Sequence, residues 1–303
     1  MPQNYVHERE LTFFIIVLIL LVINTALMAT LQMSTVVLMA RLPLDYLLFF
    51  LVGNQGNVFV TILQIISLAV TDDDSTTALI YFGVNVVVMI LAFVLLMLAR
   101  RTDVFKYYQV EITQSQKSET LSWTESMALI KKVWPCMAII ILCYGASMAV
   151  HPSISTLVVS QYELDKSQWS DKYFTPVCAF LVSELSAVFG RIVSKKIIIN
   201  ANNKLYFIAV AAGRFILLIS IGLFLNAKPR TMPVIFGKDW EFALYMFFFG
   251  FSQGLLLNIC SMSMKSLAPG QQDVALKFVS LTTAICSTAF VANGMIAVKV
   301  LSI

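Results

Sequence analysis

What most constrains this chain is the recurrence of apolar runs long enough to cross a lipid bilayer. Runs near the ~20 residues that a crossing helix needs occur at 11–40, 46–70, 76–99, 133–160, 173–194, 205–225, 241–264 and 274–300. Hydrocarbon offers backbone amides no partner, so a spanning segment must satisfy its own, and a helix does. The reading is therefore all-α: a polytopic helical membrane protein of about eight transmembrane helices. Composition agrees, with 59% hydrophobic and 13% charged residues against about 45–50% and about 25% in a soluble domain. Only RLPLD, with Arg41 and Pro43, parts the first two runs, and TDDDS parts the second from the third.

One hydrophilic stretch, 100–132, divides the chain into a three-helix membrane bundle at 1–99 and a five-helix bundle at 133–303, with 100–132 as the linker. Lysine and arginine mark cytoplasmic loops. One side collects Arg41, Arg100, Arg101, Lys106, Lys117, Lys131, Lys132, Lys195, Lys196, Lys204, Lys265 and Lys277, and the other holds fewer basic residues together with Asp72, Asp73 and Asp74. The linker is accordingly expected in the cytoplasm and both termini outside. The polar start MPQNYVHERE is unlike a signal peptide, so an external amino terminus suggests that an upstream part is lacking.

Several function classes drop out. A net charge of +4, spread over loops rather than gathered in a stripe, does not argue for nucleic acid. The five cysteines (Cys136, Cys143, Cys178, Cys260 and Cys286) sit singly in apolar segments without disulfide or zinc spacing. No phosphate-binding loop, HExxH or GxSxG occurs. The expectation is a protein that is not an enzyme and needs no cofactor or metal.

Polar side chains inside spans are costly to desolvate and therefore become functional candidates. In FLVSELSAVFGR, residues 180–191, Glu184 and Arg191 lie on one helical face, about 10.5 Å apart along the axis and too far for direct pairing. Small residues four apart, Ser183 with Ala187 and Ser186 with Gly190, suit close helix contact. Two readings stand open: Glu184 pairs with a neighbouring span, for instance with Arg214, or the face lines a polar cavity between two bundles. Asn24 and Gln32 add polarity to the first span and GNQGN, 53–57, to the second. His151 precedes Pro152, which is expected to kink the fourth span. GFSQG, 250–254, sets Gln253 between glycines whose spacing suits backbone approach as well as binding.

Five motifs carry a resemblance. They are YFTPVCAFLVSELSAVFGR at 173–191, AAGRFILLISIGLFLNAKPR at 211–230, FSQGLLL at 251–257 followed by Pro269, INTALMATLQ ending at Gln32, and GNQGN with Gln55 and Gly56. Together with HPSIST at 151–156, these resemble the equilibrative nucleoside transporters over nearly the whole chain. The resemblance implies a partial, major-facilitator-like fold of two bundles. Family members have eleven helices in a six-plus-five arrangement, so this chain would begin before their fourth. The family pairs an Asp with the helix arginine four residues on; here Arg191 is kept, the Asp position is Ala187, and a carboxylate stands at Glu184 instead.

From the resemblance follows an expected function: facilitated diffusion of nucleosides of the adenosine and uridine class, with nucleobases as a further substrate class, by alternating access in the lipid bilayer. The expected substrate-binding residues are Gln32, Glu184, Arg191 and Arg214, with Glu184 accepting from substrate hydroxyls, Arg191 donating and Gln32 touching the base. The alternative is a truncated product that does not transport but associates with a full-length carrier and regulates it. The plasma membrane is the expected location. ESMALI, 125–130, matches an acidic dileucine signal for endosomes or lysosomes, but it abuts the fourth span and is expected to form its amphipathic entrance.

Overall fold

The computed structural model describes residues 44–54, 56–71, 73–103, 106–107, 122–200 and 202–302, with 12, 14–20, 22–24, 27, 30–32 and 34–35 of the amino-terminal segment. The described chain is helical, and seven of its helical segments are long and apolar enough to cross a membrane. The first of the eight expected runs is described only in part, as the short apolar helix α1, Phe14–Asn24. Each of the other seven runs overlaps one of the seven segments, the fourth with its helix shifted ten residues toward the amino terminus.

The second run is two helices rather than one. α2, Leu44–Gly53, stops at the polar GNQGN knot, and α3, Asn57–Val70, restarts from it. Glycine weakens a helix and leaves its backbone open to other partners, so the knot is where the span breaks. α4, Asp74–Ala99, begins with Asp73 as its cap, whose carboxylate accepts from the Thr76 amide at 2.8 Å. TDDDS is thus a helix start as well as a loop.

α5, Trp123–Val150, begins ten residues before the expected span, inside the stretch read as linker. Glu125 accepts from the Ser122 amide at 2.8 Å in a capping box, and Leu129 is buried at 1% exposure. Both marks of the dileucine pattern are therefore spent on starting and packing this helix. At its other end α5 stops at Val150 instead of kinking through Pro152, and 151–157 continue as turns. The proline within the helix is Pro135, ahead of which the helix runs on unbroken.

The next span, α6, Trp169–Lys196, is wound in π-helical turns over Trp169–Tyr173 and Thr175–Leu181 before α winding resumes at Val182. α7, Lys204–Gly222, and α8, Asp239–Met262, follow, the latter extended by the turn Met264–Leu267. α9, Gln272–Ala289, and α10, Val291–Ser302, form the last span.

The helices α6 and α8 make the closest pair. A Cβ on Gly250 would overlap the Ser183 carbonyl, one on Gly254 the Ala187 carbonyl, and one on Gly190 the Phe251 carbonyl. Small residues on both helices thus bring the backbones into contact, the arrangement that membrane helices use where burial supplies no hydrophobic drive.

Two apolar layers flank this contact. One gathers Val133, Cys136, Ile139, Ala211, Ile259 and Cys260, and the other Val150, Phe174, Leu218, Phe242, Met246 and Phe249. Between the layers α5 contributes Ser147, α7 Arg214, and α8 Ser252 and Gln253. A polar layer therefore crosses the bundle between two apolar ones.

Candidate functional site

The candidate site starts from the broken span. Leu51 O lies in the last turn of α2, where helix carbonyls become available to partners outside the helix. Arg191 Nη1 donates to it at 2.5 Å, so a cation meets the negative end of a helix. Across the break, Asn57, first residue of α3, donates from Nδ2 to Glu184 Oε1 at 3.3 Å. Glu184 and Arg191 of α6 are thus each engaged by one end of the interrupted span.

Arg191 is held from behind as well. Asn258 of α8 donates from Nδ2 to Arg191 O at 3.2 Å and to Ser194 Oγ at 2.6 Å. Its Nε–H, by contrast, is one of two buried side-chain polar atoms without a hydrogen-bond partner among the described residues. Buried donors are nearly always satisfied, so an unpaired guanidinium N–H beside a cavity marks a place where an acceptor fits.

That cavity measures about 90 Å³ and is lined by Glu184, Arg191, His151 and Gln253, with Ser183 and the glycines of α8 completing the wall. His151 Nδ1 lies 2.7 Å from Ser155 Oγ, and its ring meets Phe180 edge-on with centroids 5.1 Å apart. The surround offers a carboxylate acceptor, a guanidinium donor, an amide and an imidazole. That set suits a polar, hydroxyl-bearing solute rather than a hydrocarbon.

A larger groove, about 450 Å³, runs between α7 and α8 past Leu217, Leu244 and Phe248 toward Arg214 and Ser252. Its walls are almost wholly apolar, and those three side chains are exposed. It presents too few polar groups to orient a hydroxylated solute.

Of the four residues expected to bind substrate, Glu184 and Arg191 line the cavity together. Arg214 does not. It is 7% exposed and donates to Ser252 Oγ at 2.8 Å, Cys143 O at 3.2 Å, and Ser147 Oγ and Phe249 O at 3.4 Å each. The pairing of Glu184 with Arg214 is likewise replaced, since Glu184 turns to Asn57 and Arg214 to hydroxyls and carbonyls. Gln32 is exposed on the partly described amino-terminal segment and is not among the cavity's residues. Gln55 lies outside the described residues.

Sequence reasoning passed over Asn57, Ser147 and the carbonyl of Leu51. The signal for the first was the polar knot itself, since asparagine at the restart of a broken span must find a partner. Leu51 acts through its backbone, which no side-chain pattern reveals.

Comparison with known proteins adds to this geometry. A family model described as "Nucleoside transporter" matches residues 16–303. Equilibrative nucleoside transporter 2 of Homo sapiens is 22% identical over 293 residues, covering 82% of this chain and 63% of that protein. Equilibrative nucleoside transporter 1 of Homo sapiens is 23% identical over 299 residues, covering 88% and 64%. Equilibrative nucleoside transporter 3 of Rattus norvegicus is 22% identical over 251 residues, covering 76% and 53%. The chain thus spans less than two thirds of the length of these relatives.

Proposed function

The chain belongs to the nucleoside transporter family, and from that premise we propose that it carries nucleosides across a membrane by facilitated diffusion, with the cavity between α6 and α8 as part of its substrate site. The family is one of transporters and not of enzymes, and the seven membrane-crossing segments make the chain a multi-pass membrane protein in contact with lipid.

The observation that carries the proposal is the interrupted second span. Transporters commonly build their sites where discontinuous helices expose backbone ends inside the membrane. Here the break delivers the Leu51 carbonyl to Arg191 and the Asn57 amide to Glu184, beside a cavity whose guanidinium retains an unpaired N–H. A nucleoside suits this set because its ribose hydroxyls both donate and accept. Glu184 would accept from them, and Arg191 would donate.

Mechanistically, α2 and α3 contact α6 from outside the carboxy-terminal bundle, so relative movement of the two groups would make and break the Arg191 and Asn57 contacts. Alternating access of this kind consumes no ATP. The plasma membrane is the location we assign to it.

The test is uptake of radiolabelled adenosine, uridine and a free nucleobase into transport-deficient cells expressing this chain, with surface abundance measured in parallel. Saturable nucleoside uptake is the expected result. Good surface expression with no uptake would overturn the carrier reading. Co-precipitation with a longer family member, or a change in that protein's uptake, would then favour a regulatory partner.

A further inference from the structure

Resting on the nucleoside-carrier reading, we propose that Gln253 is a selectivity-determining hydrogen-bond donor of the cavity, and that Arg214 and Ser147 are positioning residues that fix which end of its amide faces the substrate.

The argument turns on one hydroxyl proton. Ser147 Oγ has three polar neighbours: Cys143 O at 2.8 Å, Gln253 Oε1 at 3.1 Å and Arg214 Nη2 at 3.4 Å. A guanidinium only donates, so toward Arg214 the hydroxyl is an acceptor. Its single proton must go either to Cys143 O, the usual choice for a serine four residues along a helix, or to Gln253.

Cys143 O is already occupied. It accepts the Ser147 amide of the helix ladder and Arg214 Nη1 at 3.2 Å, and a carbonyl oxygen has two lone pairs. Both contacts lie within donating reach of the one hydroxyl, and with Cys143 O crowded we assign the proton to Gln253 Oε1. With its oxygen held by Ser147, the side chain has its Nε2 group left for the cavity that it lines.

Arg214 thus acts on the site without touching it, in two ways. It fills the carbonyl that would otherwise take the Ser147 proton, and it polarises the hydroxyl that donates to Gln253. If it is removed, Ser147 reverts to Cys143 O and the amide can turn over, presenting an acceptor instead. The burial of Arg214 within a polar layer between two apolar ones is consistent with such a role. The result is a cavity that offers donors from Gln253 and Arg191 and an acceptor from Glu184, and so selects a substrate with an acceptor facing α8.

The test is equilibrium binding of radiolabelled adenosine to the purified full chain, competed with analogues that each lack one acceptor: the two ribose deoxy analogues and the ring-nitrogen deaza analogues. The wild type should disfavour one analogue roughly five- to tenfold, the factor carried by one hydrogen bond. Gln253→Leu should abolish that one discrimination and leave the other ratios unchanged. Ser147→Ala should weaken the same ratio, and Ser147→Thr, which keeps the hydroxyl, should restore it. If Gln253→Leu fails to fold, the Ser147 pair decides.

Unaltered discrimination in Gln253→Leu would overturn the inference while leaving the proposed function standing. A uniform loss across all analogues in Ser147→Ala, without rescue by threonine, would overturn the positioning roles. A wild-type chain that binds no nucleoside would overturn both the proposed function and this inference.

Discussion

Glu184 and Arg191 look alike in the sequence, as charged residues in an apolar helix, yet their surroundings give them different work. Glu184 lines the cavity while Asn57 donates to one of its oxygens. Glu184→Gln keeps the shape and removes the charge, so it should lower nucleoside uptake roughly tenfold, the scale of a charge-assisted hydrogen bond, without lowering surface abundance. Unchanged uptake would make Glu184 a packing residue. Arg191→Lys should also impair uptake, because a lysine cannot both cap Leu51 O and present a second fixed N–H to the cavity. Both residues were legible as candidates from charge and helical spacing alone. Arg214 was equally conspicuous, but its carbonyl and hydroxyl partners come from α5 and α8, more than thirty positions away in the chain, so no local pattern could separate it from a substrate ligand.

Among the elements, the α6–α8 pair depends on missing side chains. Gly254→Val would force a branched side chain into the Ala187 backbone, and overpacking of a tight contact commonly costs about 1–3 kcal/mol. The expected outcome is reduced surface abundance and a lower melting temperature in detergent. Gly213→Ala is the matched control, since a Cβ there meets nothing within 4 Å and should leave both values near wild type. The small-residue spacing of α6 and α8 was readable from the sequence, because close approach requires it. The partner of each stripe was not, since Ser183 and Gly250 meet only after the chain has passed through α7. The helix α5 starts ten residues before the expected span, at the amphipathic entrance that ESMALI suggested, because a helix can carry Lys131 and Lys132 on one face before it enters the membrane.

At the scale of the whole molecule, the connection after α5 and the starts of α6 and α8 are clasped together at Asp239. Asp239 accepts from Ser160 Oγ at 2.8 Å, the Gln161 amide at 2.9 Å and Trp169 Nε1 at 2.8 Å. Arg230 closes the end of α7 by donating to the carbonyls of Leu223 and Leu225, and Lys228 pairs with Glu163. The LNAKPR motif therefore serves as a structural fastening. Asp239→Ala leaves three donors to find water, and should lower the melting temperature by about 2–4 °C while the affinity of the remaining folded protein for nucleosides stays near wild type. A large loss of affinity at unchanged stability would instead place this clasp in the transport cycle.

The sequence by itself determined the solvent, the helical class and the positions of seven spans, because the cost of unsatisfied backbone in hydrocarbon acts on every contiguous run, whatever its neighbours. It also determined which residues were expensive enough to need a reason. Only the tertiary structure decided what those reasons were. Leu51 O becomes a ligand for Arg191 because a span breaks beside it, and Arg214 turns inward because Cys143, Ser147 and Ser252 converge on it. Hydrogen-bond partners inside a membrane are chosen by distance in space, and the chain order does not encode which helices will stand side by side.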